Sequence, residues 1–151
     1  ATNKAFSGRI DPGFTSKVTS IMINPFVKFH GLEVFATYEM SSGNASLSNT
    51  LDSTDRSFSQ LAASVVYRFL KDEQVYVGAR YNTVSGRLYG YDDTAGDITV
   101  NRMQIAAGWF PTENLLLKLE YVNEDYLDFK TDDSRNGLNF KGVMVEASVG
   151  F

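Results

Sequence analysis

Apolar residues recur at every second position through most of the chain from Lys17 onward, in short runs separated by polar stretches. Successive side chains of an extended backbone point to opposite faces, so a period of two predicts strands with one apolar and one polar face. The last run, Leu138 to Phe151, carries the pattern furthest. Val143, Val145, Ala147, Val149 and Phe151 fall on one side, with Lys141 at the far end of the row, and Gly142, Met144, Glu146, Ser148 and Gly150 fall on the other. Earlier runs repeat it. Their apolar rows are Ile21, Ile23, Pro25, Val27 and Phe29; Leu32 to about Met40; Leu61, Ala63, Val65, Tyr67 and Phe69; Val75, Val77, Ala79 and Tyr81; Met103, Ile105, Ala107 and Trp109; and Leu115, Leu117, Leu119 and Tyr121. The pattern predicts an all-β chain of about seven strands.

The first two strands should form a hairpin on a two-residue turn at His30-Gly31, with Gly31 free to take a positive φ that His30 tolerates less well. That turn sets Phe29 opposite Leu32, Lys28 opposite Glu33, Val27 opposite Val34, Phe26 opposite Phe35, Pro25 opposite Ala36 and Ile23 opposite Tyr38. Each pair matches in character. Pro25 cannot donate to a ladder and is expected to mark a bulge. Beyond Met40 the connections alternate: a long polar loop over 41–56, a short link over 70–73, a long loop over 85–97, a short link over 111–114 and a long, Asp-rich loop over 125–137. Residues 1–16 read as irregular, with a turn at Asp11-Pro12-Gly13 and with Phe6 to Ile10 either loop or the end of an earlier strand.

Alternation alone does not say which face points inward, and a soluble, lipocalin-like barrel would bury the apolar row. Two regularities favour the opposite arrangement. Outer-membrane barrels have short periplasmic turns and longer extracellular loops, the order seen here. Further, Tyr38, Tyr81 and Tyr121 each stand six residues beyond the first apolar residue of an ascending strand, roughly 15 Å above the short turns. Phe29, Tyr67, Phe69, Trp109 and Phe151 stand at the other end of the same face. Two aromatic rows bracketing an aliphatic band suit the two interfaces of a bilayer, so these eight residues are the expected membrane-interface aromatics. The expected fold is a transmembrane antiparallel β-barrel with its carboxy terminus on the periplasmic side.

Seven strands are an odd number and leave two edges whose backbone groups lipid cannot satisfy. Residues 17–151 are therefore expected to be the carboxy-terminal strands of a larger barrel, or to be completed by another chain. Residues 1–16 would be an extracellular-side loop or the end of a preceding strand. The alternative is an eight-stranded barrel completed by residues 1–10.

Composition narrows the classes further. Charged residues are 21% of the chain and the net charge is −4, which gives no sign of a nucleic-acid surface. No apolar run approaches the ~18 residues of a spanning helix, a criterion that barrel strands escape. Cysteine is absent, ruling out disulfides and thiolate metal sites. Ala1 to Ile10 lacks the continuous apolar core of a signal peptide, so either a leader was removed or the chain is part of a larger product.

The polar row carries Lys28, Glu33, Arg68, Arg80, Arg102, Gln104, Lys118, Glu120 and Glu146, the expected lining of a water-filled lumen, together with Glu39. Arg80 and Arg102 lie on neighbouring strands at similar depth and as a pair would attract anions. The competing reading pairs Arg102 with Glu120 or Glu124, and Lys28 with Glu33, bracing the wall without selecting a solute. Asp92, Asp93, Asp97, Glu124, Asp125, Asp128, Asp132 and Asp133 make the outer loops acidic, either simply solvated or able to take calcium. Catalysis has little support. His30, the single histidine, sits in a turn far from any serine in a nucleophile-like context, and no metal-ligand cluster, phosphate-cradling loop or dinucleotide fingerprint appears. No catalytic residue, metal or cofactor is expected.

Several segments together resemble a family. They are Asn24-Pro25-Phe26-Val27-Lys28-Phe29-His30-Gly31-Leu32-Glu33, Tyr76-Val77-Gly78-Ala79-Arg80-Tyr81-Asn82, Asn101-Arg102-Met103-Gln104 with Gly108-Trp109-Phe110, Leu117-Lys118-Leu119-Glu120-Tyr121, and Glu146-Ala147-Ser148-Val149-Gly150-Phe151. Over nearly all of residues 17–151 the chain resembles the carboxy-terminal region of phosphate-selective-type (porin O/P-like) porins of the Bacteroidota. The resemblance implies a longer protein forming a complete, commonly trimeric barrel in the bacterial outer membrane. The expected function is passive diffusion of small hydrophilic solutes, with a mild anion preference from Arg80 and Arg102, and the expected partners are membrane lipid, those solutes or anions, and further copies or other outer-membrane proteins. A structural or docking barrel without significant flux is the second expectation, and an enzyme is not expected.

Overall fold

The alternating runs pair with one another in chain order, and in the computed structural model they make one antiparallel sheet. The structure describes residues 10–15, 17–47, 50–88, 91 and 96–150. Its strands are β1 (Lys17–Ile23), β2 (Phe26–Phe29), β3 (Leu32–Leu47), β4 (Thr50–Phe69), β5 (Val75–Gly86), β6 (Ile98–Thr112), β7 (Leu115–Leu127) and β8 (Asn139–Val149). The sheet order is β1-β3-β4-β5-β6-β7-β8, with β2 continuing the β1 edge along β3. The described residues contain no α-helix, only a 3₁₀ turn at Lys71–Glu73.

The first hairpin has the expected register, with Phe29 opposite Leu32, Lys28 opposite Glu33, Val27 opposite Val34, Phe26 opposite Phe35 and Ile23 opposite Tyr38. Two details differ. Pro25 is not a bulge, because the register is the same on either side of it. Ala36 N–H donates to Pro25 O at 3.0 Å, and the reciprocal bond is missing because proline has no N–H, so the ladder loses one rung without slipping. At the turn it is His30 that takes the positive φ, at 50°. Gly31 is needed for room: a Cβ there would lie 2.5 Å from the Arg68 carbonyl oxygen, whose own N–H bonds to Gly31 O at 2.8 Å.

Connections differ in length from the polar stretches that suggested them. The stretch 41–56 is mostly strand, since β3 and β4 continue to Leu47 and Thr50 through a register shift between Gly43 and Ala45. The link expected over 111–114 shrinks to Glu113-Asn114, because β6 runs to Thr112 through an irregularity after Trp109. Phe151, Asp92, Asp93 and the Phe6–Arg9 part of the proposed earlier strand lie outside the described residues.

The sheet is not closed. β1 and β8 are its two ends, and successive pairings between them are all antiparallel. An even number of such reversals leaves β1 and β8 running the same way, so direct closure would need a parallel pair.

Candidate functional site

The two faces of the sheet are covered unequally. Outward-row residues stand bare: Val145 is 77% exposed, Ile105 48% and Leu117 39%. On the polar row Glu120 and Gly108 are buried, and so are Ala62 and Val122 nearer the loop end. A hollow of about 300 Å³ opens on this side between Arg80, Gln104, Lys118 and Glu120, lined by strand residues alone. Side chains crowd together on the concave side of a curved sheet and splay on its convex side. The polar row is thus the concave face.

That face binds its charges to one another. Near the short turns, Lys28 Nζ lies 3.0 Å from Glu33, and Arg68 bridges Glu33 at 3.3 Å and Glu73 at 3.6 Å. In the middle, Lys118 contacts Glu120 at 2.7 Å and Glu146 at 3.6 Å, while Gln104 donates to Glu120 at 2.6 Å. Higher up, Arg102 reaches Glu124 at 3.1 Å, and the Tyr126 hydroxyl donates to the other oxygen of that carboxylate. Glu39 accepts from Ser20 Oγ at 2.8 Å. Arg80 and Arg102 do not act as a pair. They sit diagonally, opposite Gln104 and Asn82; Arg102 is spent on Glu124, and Arg80 Nε donates to Asn82 Oδ1 at 3.2 Å. Lys28–Glu33 and Arg102–Glu124 are two of the bracing contacts expected from the pattern, and they place Glu124 in the wall rather than among acidic outer loops.

At the long-loop end the concave face changes character. Phe58, Leu88, Ile98, Val100, Tyr126 and Phe129 form a buried apolar cluster, with Ile10, Phe14, Val84, Tyr91 and Leu138 packed against it. The strand residues among them occupy the phase that is polar lower down. Segments 10–15 and 128–138, together with Leu88 and Tyr91, therefore fold inward and cap the concave face. Phe14 meets Phe58 edge-on at 6.1 Å, and the buried Arg56 fixes this segment by donating to Pro12 O at 3.1 Å with its guanidinium 5.8 Å from the Phe14 ring.

Two loops are latched together over the cluster. Asp133 accepts from Arg135 Nη2 at 2.7 Å and Nε at 2.9 Å, and from Tyr91 across the gap at 3.2 Å. Lys130 covers the Tyr91 ring at 4.7 Å, and Arg135 covers Phe129 at 4.7 Å. The Arg135 hydrogen bonds hold the Asp133 acid down to about 2, Asp133 in turn raises Arg135, and burial pushes the Tyr91 phenol up. Among the described residues no group of His, Asp and Glu is arranged to hold a metal ion.

No protein-family model matches the chain, and no curated protein or solved structure matches it. The residues that the pattern left unassigned are the cap (Ile10, Phe14, Phe58, Val84, Val100 and Tyr126) and the amides Gln60 and Asn82 below it. Part of their signal was present: Phe58, Val84, Ile98, Val100 and Tyr126 put apolar side chains on the polar phase of β4, β5, β6 and β7 beside the long loops.

Proposed function

We propose that this sheet is part of a transmembrane antiparallel β-barrel, a porin of the bacterial outer membrane that passes small hydrophilic solutes by diffusion along its concave face. The observation that carries this reading is the uncovered apolar row. About twenty large apolar side chains stand exposed on it. Leaving each in water forgoes roughly 1 kcal/mol, so together they exceed the ~5–15 kcal/mol by which a folded domain is ordinarily stable. Hydrocarbon is the cover that suits a row with no polar partner.

Register supports the same reading. Along the hydrogen-bond direction Leu32, Tyr67, Val77, Ala107, Leu119 and Val145 are level. Tyr38 then stands six residues above that line, Tyr81 four and Tyr121 two. The tyrosine rank falls one residue per strand. With ~3.3 Å per residue and ~4.8 Å between strands, a tilt of about 35° makes it horizontal, within the range of membrane barrels. The apolar row ends at Met40, Leu61, Tyr81, Met103, Tyr121 and Val143, and is followed on the same face by Ser42, Ser59, Thr83, Asn101, Asn123 and Lys141. Six to eight residues per strand, tilted by that angle, give roughly 16–22 Å of apolar height, close to the ~25 Å band of such barrels.

Closure with antiparallel pairs then requires an odd number of further strands, from the same polypeptide or another. Planar-bilayer recording tests the pore: stable ohmic steps are expected, and closed, resistive insertion would favour a structural or docking barrel. The apolar cap is the observation that favours this second reading. Mild anion preference rests on Arg80, which contacts an amide rather than a carboxylate. A reversal potential showing cation preference, or no change on Arg80→Glu, would remove it.

A further inference from the structure

Between the apolar cap and the charged wall lies a hollow of about 330 Å³, the lower end of the ~300–1,000 Å³ that small-molecule pockets occupy. At ~30 Å³ per water it has room for about ten. Its polar side is Gln60, Asn82, Arg102 and Glu124, and its apolar side is Ile10, Val84 and Val100. We infer that this hollow is a binding site for a neutral polyhydroxylated solute of about one sugar ring. The inference rests on the reading of the concave face as a water-filled lumen.

Chemistry of the lining selects the class. Arg102 and the buried Glu124 neutralise each other at 3.1 Å, and the second carboxylate oxygen is taken by Tyr126. The hollow thus offers no net charge to an ion. What remains is a set of amides and spare guanidinium N–H groups. Asn82 has its carbonyl occupied by Arg80 and its NH₂ free to donate. Gln60, half-buried on β4, has no side-chain hydrogen-bond partner among the described residues and presents both a carbonyl and an NH₂. Hydroxyl groups donate and accept at once, so a polyol can satisfy both amides and the remaining Arg102 donors, whereas an anion finds donors but an uncompensated charge. The three aliphatic side chains opposite would meet the C–H face of such a ring. A purely apolar solute would leave the amides unpaired, at a cost of about 1–3 kcal/mol for each buried group.

Equilibrium dialysis of the full chain in detergent against labelled glucose, with labelled inorganic phosphate as a second probe, tests the site. Saturable glucose uptake is expected, weakened about tenfold or more in Gln60→Ala/Asn82→Ala for the loss of two polar contacts, with no saturable phosphate uptake. Retention of the β-sheet circular dichroism signal shows that the variant folds. Absence of saturable glucose uptake, uptake unchanged in the variant, or phosphate uptake removed by the same substitutions would overturn the proposal. Bilayer conductance on the same preparation separates the two readings. Conductance without glucose uptake removes the site and keeps the pore, and uptake without conductance keeps the site and removes the pore.

Discussion

Glu124 is the residue on which the concave wall depends most. It is 1% exposed and has both oxygens engaged, one by Arg102 and one by Tyr126. Removing Arg102 alone strands a buried carboxylate, so Arg102→Met is expected to cost about 3–5 kcal/mol, while Arg102→Met with Glu124→Gln should recover most of it. Urea unfolding of both variants and of Glu124→Gln in a double-mutant cycle measures this. Equal losses in the single and double variants would contradict it. Asp133 gives a pH dependence. Its acid is held at about 2, below the ~3.9 of a free aspartate, so its contribution to the cap is complete above roughly pH 4 and is lost as pH falls toward 2. The protection of amides over 128–138, taken as observed exchange relative to the intrinsic rate at each pH, should fall in that window, and Asp133→Asn should show low protection already at neutral pH with the step abolished.

At the scale of the strand, what matters is which row meets which medium. On β7, Leu119 and Asn123 lie on the same face four residues apart, one in the aliphatic band and one beyond it. Leu119→Arg is expected to cost about 2–4 kcal/mol in lipid and Asn123→Arg about 0–1, read from urea titration of protein refolded into vesicles. Equal costs would contradict a band of hydrocarbon depth. Strands of this kind are legible in sequence where both rows keep their character. The first hairpin could be read pair by pair because a one-residue slip would oppose Lys28 to an apolar partner. Pro25 misled because a missing N–H removes a rung as readily as it shifts a register. The 41–56 stretch looked like loop because its strands stand beyond the apolar row, where no alternation of apolar and polar residues marks them. How the cap closes was hidden for a different reason: Phe14 meets Phe58 across the sheet and Ile10 packs against the same cluster, and contacts at such separation leave no period in the sequence. Gly108 belongs to this class too. Its Cβ would run into the Tyr76 ring, so Gly108→Ala is expected to cost about 1–3 kcal/mol by overpacking, a contact visible only once β5 and β6 are paired.

The molecule as a whole is an open sheet whose end strands run in the same direction, with a bare convex face and a braced concave one. A chain without cysteine allows a clean test of the opening. Cysteines introduced at Ile21 on β1 and Val145 on β8 are expected not to form an intrachain disulfide in protein refolded into lipid vesicles, and quantitative intrachain bonding would mean that the sheet closes on itself. The claim beneath all of this is that the convex row touches hydrocarbon, and Trp109 reports on it directly. It is the only tryptophan in the chain, lies 51% exposed on that row, and stands beside Leu117 near the short-turn end. In vesicles whose acyl chains carry bromine, its fluorescence should be quenched, while aqueous iodide should leave it nearly unchanged. Strong quenching by iodide with none by the brominated lipid would contradict the account.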